Sequence, residues 1–213
     1  MKTDDLVDFL AAGPVTPQRF GARGRLALAI GCGVFAATLV MATLLGVRSD
    51  LAAAALLPMF WAKAGYAAAL AFGSFAAVMR LSRPGVALAG VPAFMAATVF
   101  GMGCLAAVAL ARASTSQWPT LVLGHTWRSC PFLIALLSVP LFVALLWAMK
   151  GLAPTRLRLA GSAAGLLAGA TGALVYTLHC PELAAPFVAF WYLLGMLLPA
   201  AVGFVLGPRL LRW

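Results

Sequence analysis

Residues 159–182 read LAGSAAGLLAGATGALVYTLHCPE. From Leu159 to Leu178 there is no charged residue. At 1.5 Å of rise per residue, twenty helical residues cover the roughly 30 Å of hydrocarbon in a bilayer. Gly161, Gly165 and Gly169 recur every fourth position, with Gly172 beyond and Ala160, Ala164 and Ala168 in the adjacent row. Small residues at that spacing let helix backbones approach closely in lipid. The pattern predicts a membrane-spanning helix with a flat packing face, turned toward a neighbour in the same chain or toward a second copy. His179-Cys180-Pro181-Glu182 then forms a very short turn at the membrane surface, because the next apolar run begins at Pro186.

Five further runs of the same kind lie at about residues 26–47, 64–79, 86–111, 131–149 and 186–206. The chain of 213 residues is 64% hydrophobic and 9% charged, against about a quarter charged in soluble domains. A net charge of +10 would suggest nucleic acid in a soluble protein. Here the basic residues stand in short loops beside apolar runs, where they set topology instead. The expected fold is an all-α, six-helix transmembrane bundle. Residues 1–24 form a polar N-terminal segment and residues 25–213 the membrane domain. The first run is too long for a signal-peptide core and follows Asp4, Asp5 and Asp8, so it is expected to be retained.

Six crossings put alternate loops on opposite sides. One side carries Lys2, Arg19, Arg23, Arg25, Arg80, Arg83, Lys150, Arg156, Arg158, Arg209 and Arg212; the other carries Arg48, Lys63, Arg112 and Arg128. Eleven against four predicts that both termini are cytoplasmic. The 51–61 stretch is also apolar and reads as a re-entrant or interfacial helix. Lys63 and Arg128, at run ends, are expected to snorkel to the surface. Pro92, Pro140 and Pro199 are expected inside helices, where neighbouring groups satisfy the freed carbonyls.

The outer side would then hold a second Cys-Pro, in His125-Thr-Trp127-Arg128-Ser-Cys130-Pro131, facing that of Cys180-Pro181. Two cysteines, both histidines and Glu182 gather at one face. Three states of the cysteines are open: a disulfide, which needs Cα atoms about 6 Å apart, a pair of free thiols, or a soft-ion site with His179, Glu182 or His125 as accessory ligands. Cys32 and Cys104, within apolar runs, read as small core residues. None of the runs contains Asp or Glu, which speaks against a pump or an ion-coupled transporter, and no C-x-x-C supports a thiol oxidoreductase. A small transporter and a membrane thiol oxidoreductase are the alternatives from other classes; neither an enzymatic activity nor a bound cofactor is expected.

Residues 1–10 begin a helix. Thr3 is a candidate N-cap, acids fill the first turn, and Leu6, Phe9 and Leu10 fall at i, i+3, i+4 beside the acidic face of Asp4, Asp5 and Asp8.

Together with Phe60-Trp61-Ala-Lys63-Ala-Gly65-Tyr66, Arg83-Pro84-Gly85, Phe190-Trp191-Tyr192 and the closing Gly207-Pro208-Arg209, these motifs resemble the NrsF family over essentially the whole chain. Members are six-helix anti-sigma factors of the bacterial inner membrane that restrain an extracytoplasmic-function sigma factor. The resemblance implies that the N-terminal segment contributes to holding the sigma factor, and that Cys130 and Cys180 sense metal or oxidative stress, a thiophilic ion being signal and not cofactor. The residue pattern agrees, since an acidic amphipathic helix suits the basic DNA-binding faces of a sigma factor. Partners are thus a sigma factor and membrane lipid, with no direct nucleic acid; self-association is open.

Overall fold

A computed structural model describes residues 5, 22–83, 85–152 and 154–212. Six helices are long and apolar enough to cross a membrane: α1 over Gly24–Leu45, α2 over Pro58–Leu81, α3 over Val91–Arg112, α4 over Cys130–Lys150, α5 over Leu157–Tyr176 and α6 over Ala185–Leu210. No strand occurs among the described residues. Of the N-terminal segment only Asp5 is described before residue 22, helical and exposed. Asp4, Leu6, Asp8, Phe9 and Leu10 lie outside the described residues.

Proline marks the starts of these helices. Pro58, Pro92, Pro131 and Pro186 each stand in a first turn, where the missing N–H would have had no intrahelical partner anyway. Pro92 lies within α3 as expected, but in its first turn, where it frees no carbonyl. Pro140 and Pro199 are interior, as expected, and so is Pro208. The 51–61 stretch also divides differently from the expectation. Only Leu51–Ala54 forms a separate helical turn. Pro58 then starts α2 six residues earlier than the run of apolar residues suggested, drawing Trp61 and Lys63 into the span.

The axis of the bundle is α5, which packs against α2, α4 and α6. Its closest approach is to α6. A Cβ on Gly165 would overlap the carbonyl of Pro199, and one on Gly161 the carbonyl of Gly203; Gly203 in turn faces Gly161. On Gly169 a Cβ would fall 2.7 Å from the Met196 carbonyl oxygen. The glycine row is thus a contact within the chain. On the other side Gly172 faces α4, where a Cβ would meet the Ile134 carbonyl at 3.0 Å. Against α4 packs α1, through Gly33 on Leu141, while α3 lies at the rim against α2, with only Met102 and Ala106 buried.

The core has two levels. One holds Leu26, Val78, Leu145, Met149 and Ala164. The other holds Tyr66, Cys130, Ile134, Tyr176, Cys180 and Tyr192. This second level underlies three connections that meet at one end of the bundle: 46–50, 113–129 and 179–184. Cys32 and Cys104 are exposed on the sides of α1 and α3, not in the core as expected. On a spanning helix the side away from the bundle meets lipid, so an apolar setting in sequence does not separate core from lipid face.

A clamped thiol pair as candidate functional site

The two Cys-Pro dipeptides do opposite jobs. Cys130 opens α4, its N–H bonded to the Thr126 carbonyl, with Pro131 in the first turn. Cys180 closes the end of α5: its N–H reaches the Tyr176 carbonyl at 2.9 Å, and Pro181 cannot continue the helix. Since α4 and α5 run antiparallel as neighbours, one start and one finish bring the two cysteines together. Both are free thiols, within hydrogen-bonding reach of each other, and both are 0% exposed. The sequence placed them in surface turns; the structure buries both beneath the connections at one end of the bundle.

Three elements seal them by holding the 179–184 turn. From 46–50, the Arg48 N–H donates to the Leu178 carbonyl at 3.1 Å and its guanidinium to the Cys180 carbonyl at 3.2 Å. Arg48 is aimed by Asp50, which accepts two bonds of 2.7 Å, the parallel fork that gives such pairs their directionality. The pairing raises the pKa of Arg48 and lowers that of Asp50, each through the hydrogen bonds between them. His179 reaches back, its Nδ1 2.8 Å from the Gly46 carbonyl oxygen, with its ring 5.6 Å from that of Tyr176.

From 113–129, the backbone N–H of His125 donates to Glu182 Oε1 at 2.7 Å. The carboxylate fits there because Gly124, at φ 57° and ψ −161°, has no side chain in its way. The His125 side chain is exposed. Trp191 fastens the same segment to α6 through a bond from its indole N–H to the Val122 carbonyl at 2.8 Å, and stacks near Trp127 at 5.3 Å. Arg128 lies over Trp127, 5.0 Å from its ring centre.

From α2 comes Lys63, which does not snorkel. It is 0% exposed, and its ammonium donates to the Cys180 carbonyl at 3.1 Å and the Glu182 carbonyl at 2.9 Å. It also lies 4.7 Å from the ring centre of Tyr192. Hydrogen bonds with one charged partner contribute about 1.5–3 kcal/mol each, so two here offset part of the large cost of burying the charge. A charge this close to Cys180 has chemical consequences. The pKa of Cys180 is lowered, first by the hydrogen bond from Cys130 and further by the Lys63 charge and the Glu182 N–H, against the opposing effect of burial. Of the pair, Cys180 is the sulfur that ionises first.

The hydroxyls of Tyr66, Thr126 and Tyr192 are buried without an aligned hydrogen-bond partner; that of Tyr192 points toward the Cys180 sulfur. Among the described residues no group of three or more His, Cys, Asp and Glu side chains gathers as a metal site. The Nδ1 of His179 and Oε1 of Glu182 are already engaged by Gly46 and His125. What remains for an ion is a two-sulfur site, suited to a soft ion that accepts two thiolates and not to tetrahedral zinc.

Lys63 is the residue that reading the sequence missed. Its sequence signal was a lone cation inside an otherwise uncharged 58–79 stretch, and intramembrane charges are rare enough to ask for a partner.

A family profile described as NrsF, negative regulator of sigma F, matches residues 10–213. The probable anti-sigma-F factor NrsF of Azospira oryzae is 58% identical over 213 residues, covering 100% of both chains. The anti-sigma-F factor NrsF of Caulobacter vibrioides is 43% identical over 216 residues, again covering 100% of both. No solved structure matches. With matches that run the length of the chain, through both Cys-Pro turns and the helices that hold them, the protein belongs to the NrsF family.

Proposed function

We propose that this protein is an anti-sigma factor of the bacterial inner membrane. It holds an extracytoplasmic-function sigma factor at the cytoplasmic face, through residues 1–22, and releases it when chemistry at Cys130 and Cys180 alters the bundle. The names of its relatives support the anti-sigma role. The observation that carries the sensing role is the sealed pair of free cysteines at the end of α5.

Two inputs suit such a pair. A soft ion can bridge the two sulfurs, displacing the Cys130 proton. A peroxide can oxidise them: the Cys180 thiolate attacks one peroxide oxygen, giving a sulfenic acid and hydroxide. The Cys130 sulfur then displaces the sulfenic oxygen, forming the disulfide and releasing water. Either input replaces a hydrogen bond with a stronger link at the mouth of α5, of a different length: a disulfide draws the sulfurs to about 2.05 Å, and a bridging ion sets them two metal–sulfur bonds apart. The glycine row gives that helix little slack against α6, so a displacement at its end passes to its neighbours. Moving a two-state bundle from 1:99 to 99:1 needs about 5.5 kcal/mol of differential binding, which thiolate–metal or disulfide chemistry supplies.

A reporter for the sigma factor's target genes tests this in the host. Cys130→Ser and Cys180→Ser should each repress normally at rest and fail to respond to two-coordinate thiophilic ions such as silver, or to peroxide, the double change being no worse than either. Cys32→Ser and Cys104→Ser should respond as the unaltered protein does. Normal responses from both Cys130→Ser and Cys180→Ser would remove the sensing role from this pair.

A further inference from the structure

Among the described residues Lys63 is the one fully buried cation, and it stands in a helix long and apolar enough to cross a membrane. Its ammonium has three donors. Two are spent on the carbonyls of Cys180 and Glu182, and the Tyr192 ring face lies beside it. No carboxylate forms an ion pair with it among the described residues. The nearest candidate, Glu182, presents its backbone carbonyl to Lys63 and turns its side chain to His125.

The dependence runs both ways. Without the turn, Lys63 would be an unpaired charge in an apolar interior, a costly state. Without Lys63, the Glu182 carbonyl loses this donor, and the Cys180 carbonyl keeps only Arg48. Lys63 also has somewhere else to go. It stands in the second turn of α2, close to the end of the span, and a lysine so placed can extend its stem and put its head in water. The structure shows the inner position, which closes the turn; an outer one would leave it untied.

We propose that Lys63 is the latch of the thiol pair: turned inward it ties the 179–184 turn down on α2 over Cys130 and Cys180, and the site opens when its side chain swings out to the aqueous surface. Lys63 is then a positioning residue that sets how often the thiols are reachable. Its link to sigma-factor release rests on the function proposed above; its hold on the turn does not.

Amide hydrogen exchange on the full chain in lipid nanodiscs tests the hold directly, without a sigma factor. In Lys63→Met the amides of His179 and Cys180 should exchange at least about tenfold faster, reporting a more populated local opening, while those of α5 between Gly161 and Gly172 stay protected. Lys63→Gln keeps a neutral donor and serves if Lys63→Met does not accumulate; it should exchange at least about threefold faster at the same two amides. Unchanged exchange in the variant measured would overturn the latch, and so would a uniform rise across all six helices, which marks general destabilisation. A second arm reads target-gene expression in cells. Lys63→Met with both cysteines present should respond to a lower dose of inducer than the unaltered protein, and should lose that response in a Cys130→Ser, Cys180→Ser background, because the latch governs access to the thiols. Fast local exchange with an unchanged dose response would uphold the latch and overturn the release reading instead.

Discussion

The carboxylate of Glu182 accepts the backbone N–H of His125 at 2.7 Å, joining two connections that lie 57 residues apart in sequence. The bond depends on Gly124, whose φ of 57° and ψ of −161° belong to a region open essentially to glycine. A Cβ there would come within 2.8 Å of the Glu182 carboxyl carbon. Gly124→Ala should therefore cost about 1–3 kcal/mol, and Glu182→Ala should loosen the same joint without backbone strain. Both should speed alkylation of the buried thiols in a Cys32→Ser, Cys104→Ser background, read by mass. Glu182→Gln, which keeps an acceptor, should stay close to the parent; if all three matched it, the joint would be incidental.

The α5–α6 seam admits no side chain at Gly165, where a Cβ would overlap the Pro199 carbonyl. Gly165→Val should lower the thermal midpoint in detergent markedly, by about 1–3 kcal/mol or more of overpacking. Gly103→Ala, in α3 with nothing within 4 Å of the added carbon, should change it little. Equal midpoints for the two variants would argue against the seam.

The pH dependence of thiol reactivity follows from the lowered pKa of Cys180. The thiolate is the reactive form. Alkylation of Cys180 should therefore stay fast as pH falls below the ordinary cysteine value of about 8.5, and slow only once the pH passes through the lowered pKa. Removing the leading cause with Cys130→Ala should shift the whole profile upward in pH. A midpoint at 8.5 or above in the parent, measured with a membrane-permeant alkylator, would contradict the thiolate assignment.

Orientation is open to reporter fusions. The excess of Lys and Arg on one side predicts cytoplasmic signals for fusions after Arg83 and Arg158, and a periplasmic signal after Arg112. The reverse pattern would place the thiol site on the cytoplasmic side and exclude a periplasmic input.

Deleting residues 1–22, or changing Leu6 and Leu10 to Asp, should release the sigma factor and switch on its target genes without an inducer. The membrane domain should still insert, because nine of the eleven basic residues on that side remain. Full repression by an inserted, truncated protein would move the contact to the basic connections 80–85 and 150–158.

The six helices were legible because span length and a lack of charge are one-dimensional properties. The glycine row was legible for a similar reason, since a four-residue spacing maps onto one helix face whatever lies opposite. The start of α2 was not: 51–61 is apolar throughout, and Pro58 is the local mark that separates a surface turn from a span. The site was half legible. Two Cys-Pro dipeptides before and after apolar runs suggested that the cysteines share an end. Nothing local said that they would be sealed, because the seal is made by Arg48 and Lys63, 132 and 117 residues away from the Cys180 carbonyl they hold. For Lys63 the usual expectation for a cation at a span end was overridden by partners that only the fold supplies.

Two of the spans are wound irregularly beside this site: π turns occupy Met41–Leu45 in α1 and Val188–Tyr192 in α6. A π turn accommodates one residue more than the α-helical turn it replaces. In α6 that surplus sits between Phe187, which anchors in the core, and Leu193–Leu210, whose register against α5 is fixed by glycine contacts. The helix consequently carries a removable residue. Deleting Ala189 should let the turn rewind as ordinary helix with both flanks in place. One residue cut from within 161–172 would instead rotate everything beyond it by about 100° and pull the seam out of register. Chain length is thus negotiable at the mouth of the bundle and fixed along its seam.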